Sequence, residues 1–592
     1  MKINQIYLQK IELFEKELKD IKKLLFTSSM LRLAVFLLTI IGVYFLWGNL
    51  QWILVEVLIG VVLFFMLVSR HVKLQQKRNR LEALIQINQI EVEVLQGNYA
   101  HLPDGEKYQN PVHEFSHDID LFGRKSFYQY LNRTSLFEGE QKLVEMLTNN
   151  HIDQIEIKQQ AIEDLKEKID FRQEFSAFAL LSQEEDHQDV RKNLRALQTH
   201  EFFTPKYAVL LSWIFSGFSI ALITAYFMDF IPMSGLVLWL LIGTGISGIY
   251  FKRVNLLSDK VSKMQKTFRQ YYRLLKLIED HSFSSEIMIK NKNQISSEGK
   301  KASEVVKEFS KTIDSLDQRA NILFGFFGNG FLLWDLRYAR KLENWLNQHI
   351  DKVDQWFDVI ALTDAYNSLG NFAFNHPDYV FPTITHSQTI LNVKDAVHPL
   401  IPEEEAVTND VKIDREEFLI VTGANMAGKS TFLRTISLQI LMSNMGLPVR
   451  ASFCEYTPVK LITSMRTVDS LAEESSYFYA ELSRLKFIID KLKKDDYFIV
   501  LDEILKGTNS KDKAIGSKKF VKKLVNLHST GIIATHDLSL CEITDELPQV
   551  RNHFFDAQII DDELYFDYKF KEGICQNMNA SFLLRKMQIV DE

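Results

Sequence analysis

The sequence predicts an α/β domain with a mostly parallel sheet at its carboxy-terminal end, an all-α region before it, and two transmembrane helical hairpins set into the chain. Three observations predict this architecture. Two long stretches are almost free of charge. Much of the remaining first 380 or so residues carries apolar positions at three- and four-residue spacing. From about residue 385 the texture changes to short β-rich runs separated by helices, as an alternating α/β domain requires.

At 592 residues, 46% hydrophobic and 24% charged, the chain can build sizeable cores and is not of disordered composition. Its net charge of −7 gives no global field toward nucleic acid, so any such contact needs a local basic face. The three cysteines, Cys454, Cys541 and Cys575, lie far apart without a CxxC pair. That argues against a disulfide scaffold or a thiolate zinc site and suits a reducing cytosol.

Taken in order, residues 1–30 form an amphipathic helix, carried by the run KINQIYLQKIELFEKELKDIKKLL. Residues 31–70 are the first hairpin. Leu33 to Ser69 holds 37 residues with one charge, Glu56. Residues 206–252 are the second, where Tyr207 to Phe251 holds 45 residues and only Asp229. One helix that long would be roughly twice the ~30 Å of a bilayer core, so each stretch reads as two spans and a turn. Gly48-Asn49-Leu50-Gln51 and Asp229-Phe230-Ile231-Pro232 supply the turns. Aromatic residues such as Trp47, Trp52, Tyr207 and Tyr250 stand near the span ends as an interfacial belt would.

Basic residues flank both hairpins, from Lys16 to Arg32, from Arg70 to Arg80, at Lys206 and at Lys252-Arg253, and the turns have none. The positive-inside rule therefore leaves every soluble segment cytoplasmic, in a multi-pass protein of bacterial inner-membrane type with the lipid bilayer as partner. A pair of buried core hairpins in a soluble protein is the competing reading, disfavoured by the length of the charge-free runs. A cleaved signal peptide is not expected after so charged a start. Glu56 is either an intramembrane ion site or, the favoured reading, a carboxyl snorkelling near the turn.

Residues 71–109 read as a connecting helix and linker, and 110–205 as the first, mostly helical part of a core. Residues 253–384 read as long lever helices and the return to that core, and 385–592 as the α/β domain. The chemistry lies in the last. FLIVTGANMAGKSTFLRTISLQILM runs strand, glycine-rich turn, helix, and contains Gly423-x4-Gly428-Lys429-Ser430. Such a loop turns backbone N–H groups onto phosphates at a helix N-terminus. The candidate nucleotide ligands are Gly423, Asn425, Met426, Ala427, Gly428, Lys429, Ser430 and Thr431. Lys429 would reach the β/γ-phosphates and Ser430 would hold Mg²⁺.

The strand Tyr497–Leu501 ends in Asp502-Glu503, a Walker B pattern in which Asp502 supports Mg²⁺ and Glu503 orients the attacking water. A third run, GIIATHD, delivers His536 beside them, placed to sense the γ-phosphate. ATP and Mg²⁺ are the implied substrate and cofactor, and ATP hydrolysis the implied reaction.

GANMAGKSTFLR, VLDEILKGTNSKD and ATHDLSL closely resemble the ATPase domain of the MutS family, kin of ABC-type ATPases, so the domain is identified as an α/β P-loop ATPase of that type. SLAEESSYFYAELSRL is similar to the family's signature loop. The resemblance implies that Ser476 touches the γ-phosphate held by an opposite subunit, and hence a homodimer through the ATPase domains. His398-Pro399-Leu400, Asn409-Asp410 and GICQNMN (residues 573–579) also fit.

Asp118 to Leu165 resembles the family's core domain, with Asn132-Arg133-Thr134 intact and Lys158-Gln159 standing in for an Arg-Gln pair. Residues 361–384 resemble the segment where the levers return. The departures are equally plain. A hairpin stands where mismatch-reading and connector domains are usual, with no Phe-x-Glu wedge. The second hairpin stands where levers lead to a DNA clamp. The usual dimerisation helices do not follow GICQNMN, and Ala424 and Ala427 replace a usual Pro and Gly in the loop.

Two functions are therefore expected to compete. One is a membrane-anchored MutS-like ATPase that engages double-stranded DNA, helped by 14 Lys/Arg against 7 Asp/Glu in residues 252–311. The other is an ABC-like mechanochemical ATPase acting on a membrane partner or solute without DNA. A solvated helix face or contact with anionic lipid is the favoured account of the basic excess.

Overall fold

The structure is a computed structural model that describes residues 3–181, 197–198, 200–296, 300–466, 477–560 and 563–576. Helices α1 (Ile3–Phe45) and α2 (Leu50–Leu95) form an antiparallel hairpin that reverses over residues 46–49, with Gly48 at φ +100°. No proline precedes Pro103, so nothing breaks either helix. The amphipathic amino-terminal segment and the first apolar run are accordingly one helix of 43 residues, about 65 Å long. The second run continues unbroken toward the core. Glu56 lies in the seam between the two, where a Cβ on Gly42 would come within 2.6 Å of its Oε1. The carboxyl is turned onto the partner helix, not outward as snorkelling would place it.

The linker expected before residue 110 is non-helical from Gln96 apart from one 3-10 turn at Glu106–Tyr108, and the mostly helical texture expected beyond it does not begin until Phe127. Pro103, Gly105, Pro111 and Gly123 interrupt the stretch, and the segment is pinned instead by Gln129, whose amide donates to Leu102 O at 2.5 Å and Ala100 O at 3.2 Å. Short helices α3 (Phe127–Leu131), α4 (Phe137–Thr148), α5 (Ile155–Lys166) and α6 (Ile169–Leu180) follow. The end of the core part expected over 110–205 falls largely outside the described residues, which omit 182–196 and 199.

The second hairpin pairs α7 (Ala208–Phe227) with α8 (Met233–Asp280), which runs 48 residues from apolar span into charged lever without a break. Then come α9 (Glu286–Ile295), α10 (Ala302–Asp317), α11 (Ile322–Leu332) and the long α12 (Trp334–Asn375). Among the described residues four helices, α1, α2, α7 and the first thirty residues of α8, are long and apolar enough to cross a membrane. Within their most apolar windows only 6%, 6%, 28% and 22% of residues are buried, so most of their apolar surface faces outward. Leu38, Leu58, Phe65 and Ile220 are all more than 60% exposed.

Helix α12 is the spine of the soluble core. Its Asp364, wholly buried, accepts the Ser135 N–H at 2.9 Å and the Leu136 N–H at 2.8 Å, which anchors the turn leading into α4 from a distant part of the chain. Asp364→Ala strands both donors in a dry interior. Thermal unfolding of detergent-solubilised protein should show a loss of about 2–4 kcal/mol.

The α/β domain contains β1 (Thr383–Ile384), β2 (Thr389–Ala396), β3 (Asn409–Asp414), β4 (Phe418–Gly423), α13 (Lys429–Met445), β5 (Phe453–Tyr456), β6 (Lys460–Ser464) and α14 (Tyr477–Leu492). It continues with β7 (Tyr497–Asp502), α15 (Ser510–Asn526), β8 (Thr530–Ala534), β9 (Val550–Phe555), β10 (Gln558–Ile560), β11 (Glu563–Tyr565) and β12 (Phe570–Glu572). Six strands make one sheet in the order β12-β9-β4-β8-β7-β6, parallel except for β12 at its edge. Both faces are covered, which is why β4, β7 and β8 read as unbroken apolar runs. A second sheet, β1-β5-β2-β3, is mostly antiparallel. The sequence does not announce it, because β1, β5 and β3 are short and the β2–β3 pairing shifts register.

The core and this domain share one hydrophobic cluster. Polar links cross the same junction. Asp118 accepts the Thr463 hydroxyl at 2.5 Å and the Arg466 N–H at 2.9 Å. Lys158 donates to Asn444 O at 3.1 Å and Gln159 to Pro382 O at 2.8 Å, so the Lys-Gln pair ties α5 to the α/β domain.

Candidate functional site

Because β4, β8 and β7 are adjacent and parallel, their carboxy-terminal ends meet at one edge, with Val421 opposite Ala534 and Ala534 opposite Asp502 in register. The glycine-rich turn leaves β4 there. Gly423 has φ +151° and abuts Phe555, whose carbonyl would lie 2.7 Å from an added Cβ. Gly428 has φ +99° and sits under the Tyr568 ring, 3.0 Å from where a Cβ would be. Both positions therefore demand glycine. Met426 takes φ +69° without that licence, a strained residue of the kind that gathers at functional loops. Ala424 and Ala427 are buried at ordinary φ, so their methyl groups do not disturb the turn.

Lys429 opens α13 and is only 6% exposed. Its ammonium donates to Gly423 O and Ala424 O, both at 2.9 Å. Burial pushes its pKa below the ordinary lysine value, while the charges of Asp502 and Glu503 pull the other way. The next residue, Ser430, donates its hydroxyl to Asp502 Oδ2 at 2.7 Å. A hydroxyl and a carboxylate side by side at the cleft are hard oxygen donors of the type that suits Mg²⁺.

Glu503 follows at φ +48°, its N–H bound to Ala534 O at 2.9 Å, which fixes the strand end despite the strain. Its Oε1 lies 2.8 Å from His536 Nε2. With the proton on Nε2 the imidazole donates to Glu503, and the 3.3 Å approach of Lys429 to the same nitrogen is then a contact without a shared proton. The hydrogen bond from His536 holds the Glu503 carboxyl down to about 2, against partial burial and with help from Lys506 and Lys513. Glu503 is thus ionised at neutral pH.

These groups line a cleft of about 930 Å³, whose walls include Asn425, Met426, Gly428, Ser430, Thr431 and His536. Gly423 and Ala427 form the turn behind it. Ser476 lies outside the described residues. The opposite wall is aromatic: Tyr565 ends β11, and Phe566 and Tyr568 come from the segment between β11 and β12. Asn409 seats that segment, donating to Tyr568 O at 3.1 Å and accepting the Phe570 N–H at 2.7 Å, while Phe570 stacks on Phe432 of α13. This wall was missed in the sequence, although the aromatic run YFDYKF (565–570) was a signal that could have found it.

Residues 419–587 match the family description MutS domain V. Through this domain the chain is similar to the MutS family. It is 29% identical over 250 residues to human MutS protein homolog 4, covering 40% of this chain and 26% of that protein. It is 30% identical over 242 residues to the DNA mismatch repair protein MutS of Clostridium perfringens, covering 39% and 26%. Against the MutS protein of Aquifex pyrophilus it is 30% identical over 240 residues, covering 40% and 28%. The chain thus spans about a quarter of the length of the MutS relatives it matches, and the membrane-length helices of its first half lie outside the domain that carries the family match.

If Glu503 is the group that activates water, the His536 hydrogen bond sets its working range. A depressed carboxyl stays ionised until pH falls through its folded value, here about 2. In His536→Asn the carboxyl should titrate nearer its ordinary 4.5. The ratio of kcat at pH 5 to kcat at pH 7.5 should then fall below that of the wild type. An unchanged ratio would remove Glu503 from the role of base.

Proposed function

We propose that this chain is a membrane-anchored MutS-type P-loop ATPase, which couples ATP binding and Mg²⁺-dependent hydrolysis to closure of a dimer. The observation that carries the reading is the gathering of Lys429, Ser430, Asp502, Glu503 and His536 at one sheet edge, in the cleft behind the glycine turn. The N–H groups of residues 425–431 and the N-terminus of α13 would hold the phosphates, with Lys429 meeting the β/γ-phosphates. Ser430 and Asp502 would hold Mg²⁺, which supplies charge neutralisation between the phosphates. Glu503 would orient and deprotonate water, and His536, bound to Glu503, would report the state of the γ-phosphate.

Two such domains would face each other, each completing the other's site through Ser476, in a homodimer favoured by confinement to one membrane surface. The exposed apolar faces of α1, α2, α7 and α8 support multi-pass insertion, with the soluble parts on the cytoplasmic side. Closure would travel along α8 and α12. Its output is either engagement of double-stranded DNA or work on a membrane partner.

One observation favours the second output. Several cations of residues 252–311 already have partners on the same chain, in part at exposed pairs, which dilutes the basic excess: Lys301 pairs with Asp280 at 3.0 Å, Arg269 pairs with Asp314, and Lys292 donates to His281 O at 2.6 Å. The test is the ATPase rate of nanodisc-embedded protein with and without duplex or branched DNA over a range of salt. Stimulation that weakens steeply with salt supports DNA engagement. A rate indifferent to every DNA moves the function to a membrane partner, and absence of hydrolysis under all conditions refutes the ATPase reading itself.

A further inference from the structure

The apolar helix α11, ILFGFFGNGFL, is too short to cross a bilayer. At 11 residues it is about 16 Å long, half of the ~30 Å hydrocarbon core. Its position is unusual. Just ahead of it Arg319 stacks over Phe251, at the end of the charge-free stretch. Its far end lies deep in the second hairpin. Ser219, in the middle of α7, donates to Phe331 O at 2.6 Å, and Trp239 of α8 donates to the same hydroxyl at 2.8 Å. Gly330 meets Gly243 so closely that a Cβ on Gly243 would lie 2.1 Å from its carbonyl oxygen. Small residues at such a crossing are how helices pack in lipid.

The chain then turns back. Leu333, at φ +49° and fully buried, reverses direction, and α12 leaves along α7, with Arg337 3.7 Å over the ring of Trp213. Irregular backbone at membrane depth survives only where protein satisfies it. Here it does: Asn329 Oδ1 accepts the Asp335 N–H at 2.9 Å, and the Asp335 carboxylate is paired with Arg319 at 3.2 Å. Meanwhile the outward face of α11 is bare. Ile322 is 86% exposed, Leu323 70%, Phe327 51% and Phe326 47%. This face is continuous with the exposed apolar surface of α7 and α8 and bounded by Arg319 and Arg337, so what covers it is what covers the spans.

Resting on the membrane reading above, we propose that α11 is a half-span helix whose exposed face contacts lipid acyl chains in the leaflet nearest the soluble domains. The second hairpin is then a three-helix membrane unit, and α12 starts inside it. That makes α12 a direct mechanical link from bilayer to core, since the same helix carries Asp364 beneath α4.

The test is site-directed spin labelling in nanodiscs. The three native cysteines are buried, so labels go to introduced ones. Leu323→Cys and Phe327→Cys probe α11, Phe218→Cys and Leu238→Cys probe the spans, and Ile289→Cys on α9 is the aqueous reference. The inference expects α11 labels to be oxygen-accessible and several-fold less accessible to a water-soluble nickel chelate than the reference, like the span labels. Span labels in lipid with α11 labels as chelate-accessible as Ile289→Cys overturn it. So does protection of α11 labels from both reagents, which would mean a protein surface covers the face. Chelate access at the span labels too would instead sink the membrane reading on which the inference stands.

Discussion

Glu503→Gln should lower the steady-state ATPase rate by about 10²–10⁴-fold, the usual contribution of a positioned general base. The substitution is nearly isosteric, and its amide oxygen can still accept from His536, so the strand end and the 2.8 Å contact persist. What is lost is the anion. Glu503 is ionised because His536 donates to it and Lys506 and Lys513 stand nearby. A neutral amide in its place can still orient water but cannot take its proton. Nucleotide binding should survive, because Lys429, Ser430 and the glycine turn are untouched. A fluorescent ATP analogue titrated onto the variant should therefore give an affinity close to wild type. If the variant hydrolyses at the wild-type rate, the base lies elsewhere. If it loses binding as well, Glu503 is structural.

The legibility of this site follows from chain locality. Gly423 to Thr431 is one contiguous segment, a turn running into the first residues of α13, and Asp502-Glu503 and His536 each end an apolar run, so spacing alone marks them. The parallel order β4-β8-β7 then brings them together, as alternating strands and helices require. The aromatic wall was invisible for the converse reason. Tyr568 reaches the cleft only because Asn409, some 160 residues earlier, holds its segment against α13. No periodicity reports a contact of that range.

The long apolar helices show the same division. Charge-free runs announce the two hairpins and their turns. They do not announce that Ile3–Phe45 is one helix, since that depends on the absence of a breaker and on packing along α2. Ile322–Leu332 escaped because it is too short to register as a span and is flanked by Arg319, Asp335 and Arg337, which make the window look like ordinary lever. Only its contacts with Ser219 and Gly243 give its depth.

Glu91→Met should cost about 3–5 kcal/mol, as removing one partner of a buried charge pair does. Glu91 is 3% exposed and sits where four parts of the chain meet. One oxygen accepts from Arg133 Nε at 2.7 Å, within the Asn-Arg-Thr turn, and the other from Asn375 Nδ2 at 2.7 Å, at the end of α12. Asn375 in turn accepts the hydroxyl of the fully buried Tyr7 of α1 at 2.7 Å. Both helices of the first hairpin are thereby tied to the core by one polar chain. Deleting the carboxylate leaves a guanidinium with 13% side-chain exposure and an amide without their acceptors. The double variant Glu91→Met/Arg133→Met should be less damaged than Glu91→Met alone, because no uncompensated charge remains. Thermal unfolding in detergent measures both. Lys142→Ala, at an exposed pair with Glu145, is the control and should change stability by less than about 1 kcal/mol. Losses that simply add across the double variant would show that Glu91 and Arg133 do not act as a pair, and that the hairpin is held to the core by apolar packing around Phe14, Ala83, Leu84 and Ala177 instead.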